Sequence, residues 1–361
     1  MSSVPPDLVE GAAPSEASPL PAESARRPLS RVAFVTGATL LAFVVVTGMA
    51  LSTLVGTRML APSDLWGVVT RFSAEDDAHL ILLHTRIPRT ILAVLAGAAL
   101  GAAGVVMQSL TRNPLAEPGI LGVNAGSALA VAVAIAVFGV IQPAGYFLFA
   151  LGGAASAGVL VLLLGGVRRG SDPVRLVLAG AALSVVLGAL AQIVIVNADD
   201  LLFDRYRNWI VGSLQGRGLD VLIPTLVLIG VGVILALTLA RSLDAVSLGD
   251  DASRALGVRP ARVWTLAGTA VVLLSAGATA AAGPVAFIGL TAPHVARRWV
   301  GSDHRRMLPA AMLLGAGLVL VADVAGRVVA LPGEVGVGIM AALIGGPVFV
   351  AIARHRRMAL L

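Results

Sequence analysis

Few side chains in this sequence could perform nucleophilic, acid–base or metal chemistry. The chain has no cysteine, and its five histidines are scattered over predicted loops and one short apolar segment. The histidines are His79, His84, His294, His304 and His355. An active site or a metal centre needs such groups to converge. The pattern therefore argues against a membrane enzyme, and it predicts no metal site and no cofactor.

Lysine is absent as well, so all 26 basic residues are arginines. The phosphate-binding loop of ATPases needs a lysine that reaches the nucleotide phosphates. The chain therefore cannot carry such an ATP site itself. Any ATP chemistry must belong to a partner chain.

One acidic residue, Asp323, lies clearly inside an apolar segment, and Arg327 follows four residues later. At that spacing the two side chains share a helical face and can neutralise each other. An ion-coupled secondary carrier usually needs acids or histidines deep in the membrane. Their shortage weighs against a carrier, which stays open as the alternative class.

The elements that must position these residues are membrane helices. Of 361 residues, 57% are hydrophobic and 13% charged, which excludes a soluble enzyme of this size. A helix needs about 20 apolar residues to cross a bilayer. Ten apolar runs predict an all-α integral membrane protein with about ten transmembrane helices. The runs lie near 32–55, 89–108, 119–138, 146–165, 174–196, 221–240, 263–282, 308–329 and 337–353, with a shorter one at 291–300.

The arginine distribution predicts the orientation of these helices. With both termini in the cytoplasm, 18 arginines fall on the cytoplasmic side and 8 outside, as the positive-inside rule requires. Ten acids on each side leave +8 inside and −2 outside. This one-sided charge suits a multi-pass protein of the cell membrane rather than a nucleic-acid partner. Residues 1–30, rich in proline, predict a disordered cytoplasmic tail before a permease domain at 31–357.

The cytoplasmic loop 241–262 has a specific pattern between Leu248 and Val258. Asp250 or Asp251 can cap a helix, Ala252, Ala255 and Leu256 can form a small apolar face, and Gly257 can end the helix. The pattern predicts a helix of two to three turns on the cytoplasmic surface. It fits an ordinary interfacial helix as well as a docking helix for another protein.

Several motifs in order along the chain resemble the iron-siderophore and cobalamin permease family of ABC importers. They cover nearly all of the chain from about residue 32, and their ordered combination is far more specific than any one of them. The motifs are Arg86-Ile87-Pro88-Arg89, Gly97 to Gly101, Gln108, Arg112 to Gly122, Trp209 to Ser213, Gly249 to Val258, Gly283 to Leu290, Pro293-His294, Asp303-His304-Arg305, Ala322-Asp323 with Arg327, and Gly345 to Phe349.

The resemblance implies a permease that carries an Fe(III)-siderophore inward, with cobalamin or haem as alternative cargoes. It implies a second permease subunit, identical or paralogous, two ATPase subunits and an extracytoplasmic substrate-binding protein, all working in membrane lipid. The segment 248–258 is similar to the family's coupling helix, which contacts the ATPase. Its residues are Gly249, Asp250, Asp251, Ala252, Ser253, Arg254, Ala255, Leu256 and Gly257.

The resemblance also implies two further sites. Arg86, Arg89 and Arg327 match the outer arginines that dock the binding protein. The alternatives are that Arg86 and Arg89 cap a span or meet headgroups, and that Arg327 only pairs with Asp323. Asn113, Pro114 and Leu115 resemble the cytoplasmic gate, although the two prolines nearby suit a plain turn too.

Overall fold

A computed structural model describes residues 31–166 and 173–357, and within these ranges the secondary structure is entirely helical. The tail expected at 1–30 lies outside the described residues, as do Arg168 and Arg169 of one cytoplasmic loop. The helices are α1 (Arg31–Leu54), α2 (Pro62–Thr70), α3 (Asp77–Ile81), α4 (Ile87–Thr111), α5 (Val123–Ala136), α6 (Pro143–Leu164), α7 (Pro173–Val196), α8 (Asp200–Ile210), α9 (Leu219–Thr238), α10 (Ala240–Ser247), α11 (Asp250–Ala255), α12 (Pro260–Ala282), α13 (Ile288–Val300), α14 (His304–Val329) and α15 (Val337–Arg357).

Each of the ten predicted runs forms a helix. Seven helical segments in the described ranges are long and apolar enough to cross a membrane. Two shorter apolar helices, Val123–Ala136 and Val337–Ala351, and the 13-residue α13 account for the other three runs. The expectation of about ten membrane helices, one of them short, is confirmed.

Two boundaries differ from the predicted runs. The run 119–138 begins with a 3₁₀ turn, Pro118–Leu121, and α5 starts only at Val123 because Gly122 adopts a left-handed φ of 72°. A π-helical turn, Leu82–Arg86, also joins α3 directly to α4. The second membrane segment therefore extends from Asp77 to Thr111, well before the predicted start at 89.

Helices α4 and α14 pack against each other over their whole length in antiparallel fashion. A Cβ added at Gly97 would lie 2.3 Å from the Gly315 carbonyl oxygen, and one at Gly101 would lie 2.3 Å from the Ala311 oxygen. Only glycine permits such close backbone approach. Gly97 and Gly101 thus allow the backbones of α4 and α14 to lie in close contact.

Helix α13 packs against the second half of α4. A Cβ added at Gly104 would meet the Gly289 oxygen at 2.1 Å, and the Gln108 side-chain amide donates to the same oxygen at 3.3 Å. The preceding residue, Phe287, has a left-handed φ of 68°. The chain thus turns sharply after α12 and sends a short helix back along α4.

Large apolar side chains cover the outside of this bundle. Phe43 on α1, Val185 on α7 and Ile234 on α9 are all strongly exposed. Such faces are stable in lipid or against another apolar subunit but not in water. The chain is a multi-pass membrane protein.

Candidate functional site

Five charged side chains form a cluster at the end of the bundle that the charge distribution assigns to the outside. We call Arg86, Arg89, Asp323, Arg327 and Glu334 the outer ionic cluster. The Arg89 guanidinium donates to Asp323 Oδ1 at 2.8 Å and to Glu334 Oε2 at 2.8 Å, so it joins α4 to α14 and to the loop before α15. Asp323 itself is 1% exposed.

The other two arginines complete this cluster. Arg327 pairs with Asp323 on the same helix, as predicted, and also donates to the Ser52 carbonyl at 2.7 Å and the Ser52 hydroxyl at 2.9 Å. Arg86 donates to the carbonyl oxygens of Val55 and Arg58, the latter at 2.9 Å. The cluster therefore also fixes the end of α1 and the loop that follows it.

All three predicted docking arginines are buried in this chain. Arg86 is 6% exposed, Arg89 7% and Arg327 1%. Their internal partners are those of a structural cluster, since buried charges need paired counter-charges and hydrogen bonds. A docking role for them stays a prediction, and it would have to act on atoms at the rim of the cluster.

The predicted gate lies at the opposite, cytoplasmic end of α4. Arg112 ends the helix in a left-handed conformation with φ of 49°, and the Asn113 side-chain oxygen accepts the Leu115 N–H at 2.9 Å. Pro114 follows in this turn, and the Leu115 side chain is exposed. We call residues 112–115 the gate loop; the fixed turn leaves Leu115 free to contact another chain.

The predicted coupling segment, 248–258, contains one helix, α11, whose six residues are fewer than the predicted two to three turns. Helix α10 ends at Ser247, Gly249 turns the chain with φ of 111°, and α11 begins at Asp250. The expected cap by Asp250 or Asp251 is wrong, because Gly249 occupies the capping position and no side chain caps this end. The Ser253 side chain is buried and its hydroxyl donates to the Asp250 carbonyl at 2.8 Å.

One face of α11 projects away from the bundle. Ala252, Ala255 and Leu256 are exposed, and Leu248 just before the helix is exposed as well. The small apolar face predicted from the sequence thus lies on the surface. In the described part of the chain nothing covers it.

Arg112 connects the gate loop to the coupling segment. Its Nε donates to the Val246 carbonyl of α10 at 3.3 Å, and its terminal nitrogen pairs with the Asp250 carboxylate at the start of α11. A cavity of 580 Å³ lies beside this bridge, lined among others by Pro114, Asp244 and Arg297. The two sites implied separately by the resemblance are therefore in contact.

A second polar link holds α10 to the bundle. His304, which is 4% exposed at the start of α14, places Nδ1 2.5 Å from Asp244 Oδ1 of α10. Its Nε2 is hydrogen-bonded to the Ser109 hydroxyl of α4. Ser, His and Asp are also the residue types of a catalytic triad. Here Ser109 is buried, and the three side chains hold α4, α14 and α10 together.

Sequence reasoning missed several of these partners. The sequence marks Arg112 only as the start of a motif, and it gives no sign that Arg112 and Glu334 form ion pairs. Glu117 is another such residue, and its carboxylate accepts the Phe287 N–H at 3.0 Å. Burial raises the pKa of this carboxyl, although the hydrogen bond acts to lower it. The partners lie more than 100 residues apart in the chain, so helical periodicity gave no signal for them.

In the described part of the chain, an all-helical bundle with ten membrane segments and apolar exposed faces is the architecture of a polytopic membrane protein, and α11 exposes a small apolar face at its cytoplasmic end. The profile of the FecCD transport family matches residues 36–355. The chain belongs to this family.

Curated relatives and a solved structure agree with this assignment. The ferric enterobactin transport system permease protein FepD of Escherichia coli (strain K12) is 42% identical over 318 residues, which are 88% of this chain and 94% of the relative. The hemin transport system permease protein HmuU of Yersinia pestis is 35% identical, covering 84% of this chain and 90% of the relative. A metal-chelate type ABC transporter solved in an inward-facing conformation has a TM-score of 0.78 and 28% identity, covering 89% of this chain and 99% of that one.

Proposed function

We propose that this chain is a permease subunit of an ABC importer that moves an Fe(III)-siderophore into the cell. The observation that carries the proposal is the family match over nearly the whole chain, together with 42% identity to a ferric enterobactin permease. The described residues form a bundle of membrane helices with exposed apolar faces that partner subunits can contact, as a permease subunit requires.

ATP hydrolysis on a separate chain would drive this transport. The chain has no lysine for a phosphate-binding loop, and α11 offers the exposed side chains of Ala252, Ala255 and Leu256. We propose that this face, within Gly249 to Gly257, seats in a groove of an ATPase subunit, with two ATPases and two permeases in the assembly. ATP binding would then favour one arrangement of the permeases by contacting α11 differently in each.

The ATPase contact can be tested by substituting the exposed leucine of α11. Leu256→Asp should abolish co-purification of the ATPase subunit, because it places a charge in an apolar contact. Leu201→Asp is the matched control, since Leu201 on α8 is 63% exposed like Leu256 but lies at the outer side. Equal ATPase recovery with both variants would contradict the assignment.

Transport itself can be tested with radiolabelled Fe(III)–enterobactin and haem as competing cargoes. Cells that express this chain together with a second permease, an ATPase and a substrate-binding protein should take up the Fe(III)-siderophore, and uptake should stop when ATP is depleted. An ion-coupled carrier would instead lose uptake with an uncoupler while ATP remains. Uptake of haem but not of the siderophore would show that haem is the cargo, and the assignment to ABC importers would still hold.

The outer ionic cluster is proposed to lie beneath the docking surface for a substrate-binding protein. Charge reversal at Arg89 is a poor test, because Arg89 holds both Asp323 and Glu334. Arg86→Gln is a better one, since Arg86 donates to carbonyl oxygens and its loss leaves the Arg89 pairs with Asp323 and Glu334 in place. Arg86→Gln should weaken binding-protein affinity more than Arg207→Gln on exposed α8, and equal affinities would refute docking through Arg86.

The gate loop is proposed to close the cytoplasmic end of the passage between the two permeases. Leu115 is exposed in the single chain and is held by the turn at Asn113 and Pro114. Leu115→Cys in this cysteine-free chain, paired with a cysteine at the matching position of the second permease subunit, should form a crosslink when the importer is closed to the cytoplasm. A failure to crosslink in every nucleotide state would contradict this role.

A further inference from the structure

We propose that Arg112 is a positioning residue that makes the gate loop follow the movement of α11. The proposal rests on the proposed function, because it takes α11 as the ATPase contact and residues 113–115 as the gate. It adds the physical link between them. That link is the contact of one guanidinium with Val246 and Asp250.

The first step of the argument is that α11 can move separately from the bundle. Gly249 and Gly257 flank it with φ of 111° and 77°, and a Cβ added at either would meet nothing within 4 Å. Glycines in such conformations absorb dihedral changes at little steric cost. Helix α11 therefore has a hinge at each end.

The second step is that α10, in contrast, is fixed. Asp244 on α10 is bound to His304, which in turn is bound to Ser109 on α4. Leu243 and Val246 of α10 are fully buried. A displacement of α11 therefore bends the chain at Gly249 and does not shift α10.

The third step is that Arg112 spans this hinge. It bonds the carbonyl of Val246 on the fixed side and the carboxylate of Asp250 on the moving side. Arg112 is also the residue that directly precedes Asn113, and its left-handed backbone sets the direction of the gate loop. A pull on its side chain by Asp250 thus acts on the backbone that orients Pro114 and Leu115.

The Arg112–Asp250 ion pair is partly exposed, as expected of a contact that breaks and forms again in each transport cycle. The Arg112 side chain is 37% exposed and that of Asp250 27%. Ion pairs at such exposure are weak enough to break and reform during a conformational change. A buried pair, such as Arg89 with Asp323, would not allow this.

The transport experiment measures cargo moved per ATP hydrolysed in proteoliposomes with the co-purified ATPase and Fe(III)–enterobactin. Arg112→Ala should lower this ratio about fivefold, the size of a modest coupling between sites, while ATPase recovery stays unchanged. Asp250→Ala should lower the ratio as well, because it removes the other partner of the same ion pair. The charge-swapped double variant Arg112→Asp with Asp250→Arg should restore part of the ratio. Arg207→Ala is the control for transport, because Arg207 pairs with Asp204 within α8, at 3.0 Å, and lies outside the proposed sites. Arg254→Ala serves as the control only for distance measurements on the isolated chain, because Arg254 pairs with Asp251 within α11 itself, at 3.0 Å. Parallel losses of transport and hydrolysis, with the ratio unchanged, would overturn the proposal.

A second experiment uses this chain alone, in lipid nanodiscs, and needs neither the ATPase nor a cargo. Because the chain has no cysteine, Leu115→Cys and Leu256→Cys give unique spin labels on the gate loop and at the end of α11. Arg112→Ala should broaden the distribution of label distances, and Arg254→Ala should not. An unchanged distribution in Arg112→Ala would overturn the link. Failure of the wild-type importer to move Fe(III)–enterobactin would count against the proposed cargo only, and this second result would still decide the link.

Discussion

The charged side chains of the outer ionic cluster are buried, whereas most of those in the coupling segment are exposed. In the cluster, Asp323 is 1% exposed and neutralises two arginines, Arg327 on its own helix and Arg89 on α4. In the coupling segment, the Arg254 and Asp251 side chains are 61% and 100% exposed and pair only within one helix. The buried network determines a single arrangement, whereas the exposed segment has few contacts to lose.

This difference in burial indicates that the outer end of the molecule is rigid and that the cytoplasmic end can change its conformation. A buried charge without its partner is costly, so a network of such charges resists rearrangement. Exposed pairs contribute little, and hinge glycines at either end of α11 permit rotation. Substitutions at the outer end should therefore affect stability, and those at the inner end should affect local order and coupling.

The largest expected effect is at the outer end. Asp323→Ala would leave Arg89 and Arg327 buried without their shared carboxylate, and we expect a loss of about 3–5 kcal/mol in stability. Thermal unfolding in detergent or nanodiscs measures it. Asp204→Ala is the control, because Asp204 forms an exposed pair with Arg207 on α8. A small shift in both variants would break the contrast between buried and exposed pairs.

A smaller and local effect is expected at the hinge. Gly249→Ala places a side chain where φ is 111°, at a cost of about 1–3 kcal/mol that falls on the α10–α11 junction. Hydrogen exchange should quicken in α11 while the global melting temperature stays the same. Gly230→Ala, inside α9 and without neighbours within 4 Å, should change neither quantity. A large fall in melting temperature for Gly249→Ala would mean that the junction is part of the rigid core.

The smallest effect is expected where α10 meets the bundle. Ser109→Ala removes one partner of the buried His304 ring and should cost about 1 kcal/mol. Thermal unfolding again measures it, and Ser247→Ala, which loses a solvent-exposed hydrogen bond to the Asp244 carbonyl within α10, is the control. If Ser109→Ala costs as much stability as Asp323→Ala, the Ser109–His304 contact stabilises the fold as strongly as the outer ionic cluster. The two ends of the bundle would then not differ in this respect.

The sequence predicted the helices better than their partners. Apolar runs located ten membrane segments, and the Asp250 to Gly257 pattern located α11, because both signals are local. The Arg89–Glu334 and Arg112–Asp250 pairs join residues that only the tertiary fold brings together. The left-handed Arg112 and Phe287 were also unpredictable, since non-glycine residues rarely adopt this conformation.

The seam between α4 and α14 has a consequence for how the transporter can work. These helices are joined at the outer end by Arg89 and Asp323, in the middle by Gly97 against Gly315, and at the inner end by Ser109 and His304. Three such attachments oppose sliding, rotation and separation of the two helices. We therefore expect the pair to move as one unit, so that any conformational change of this chain displaces other helices relative to it.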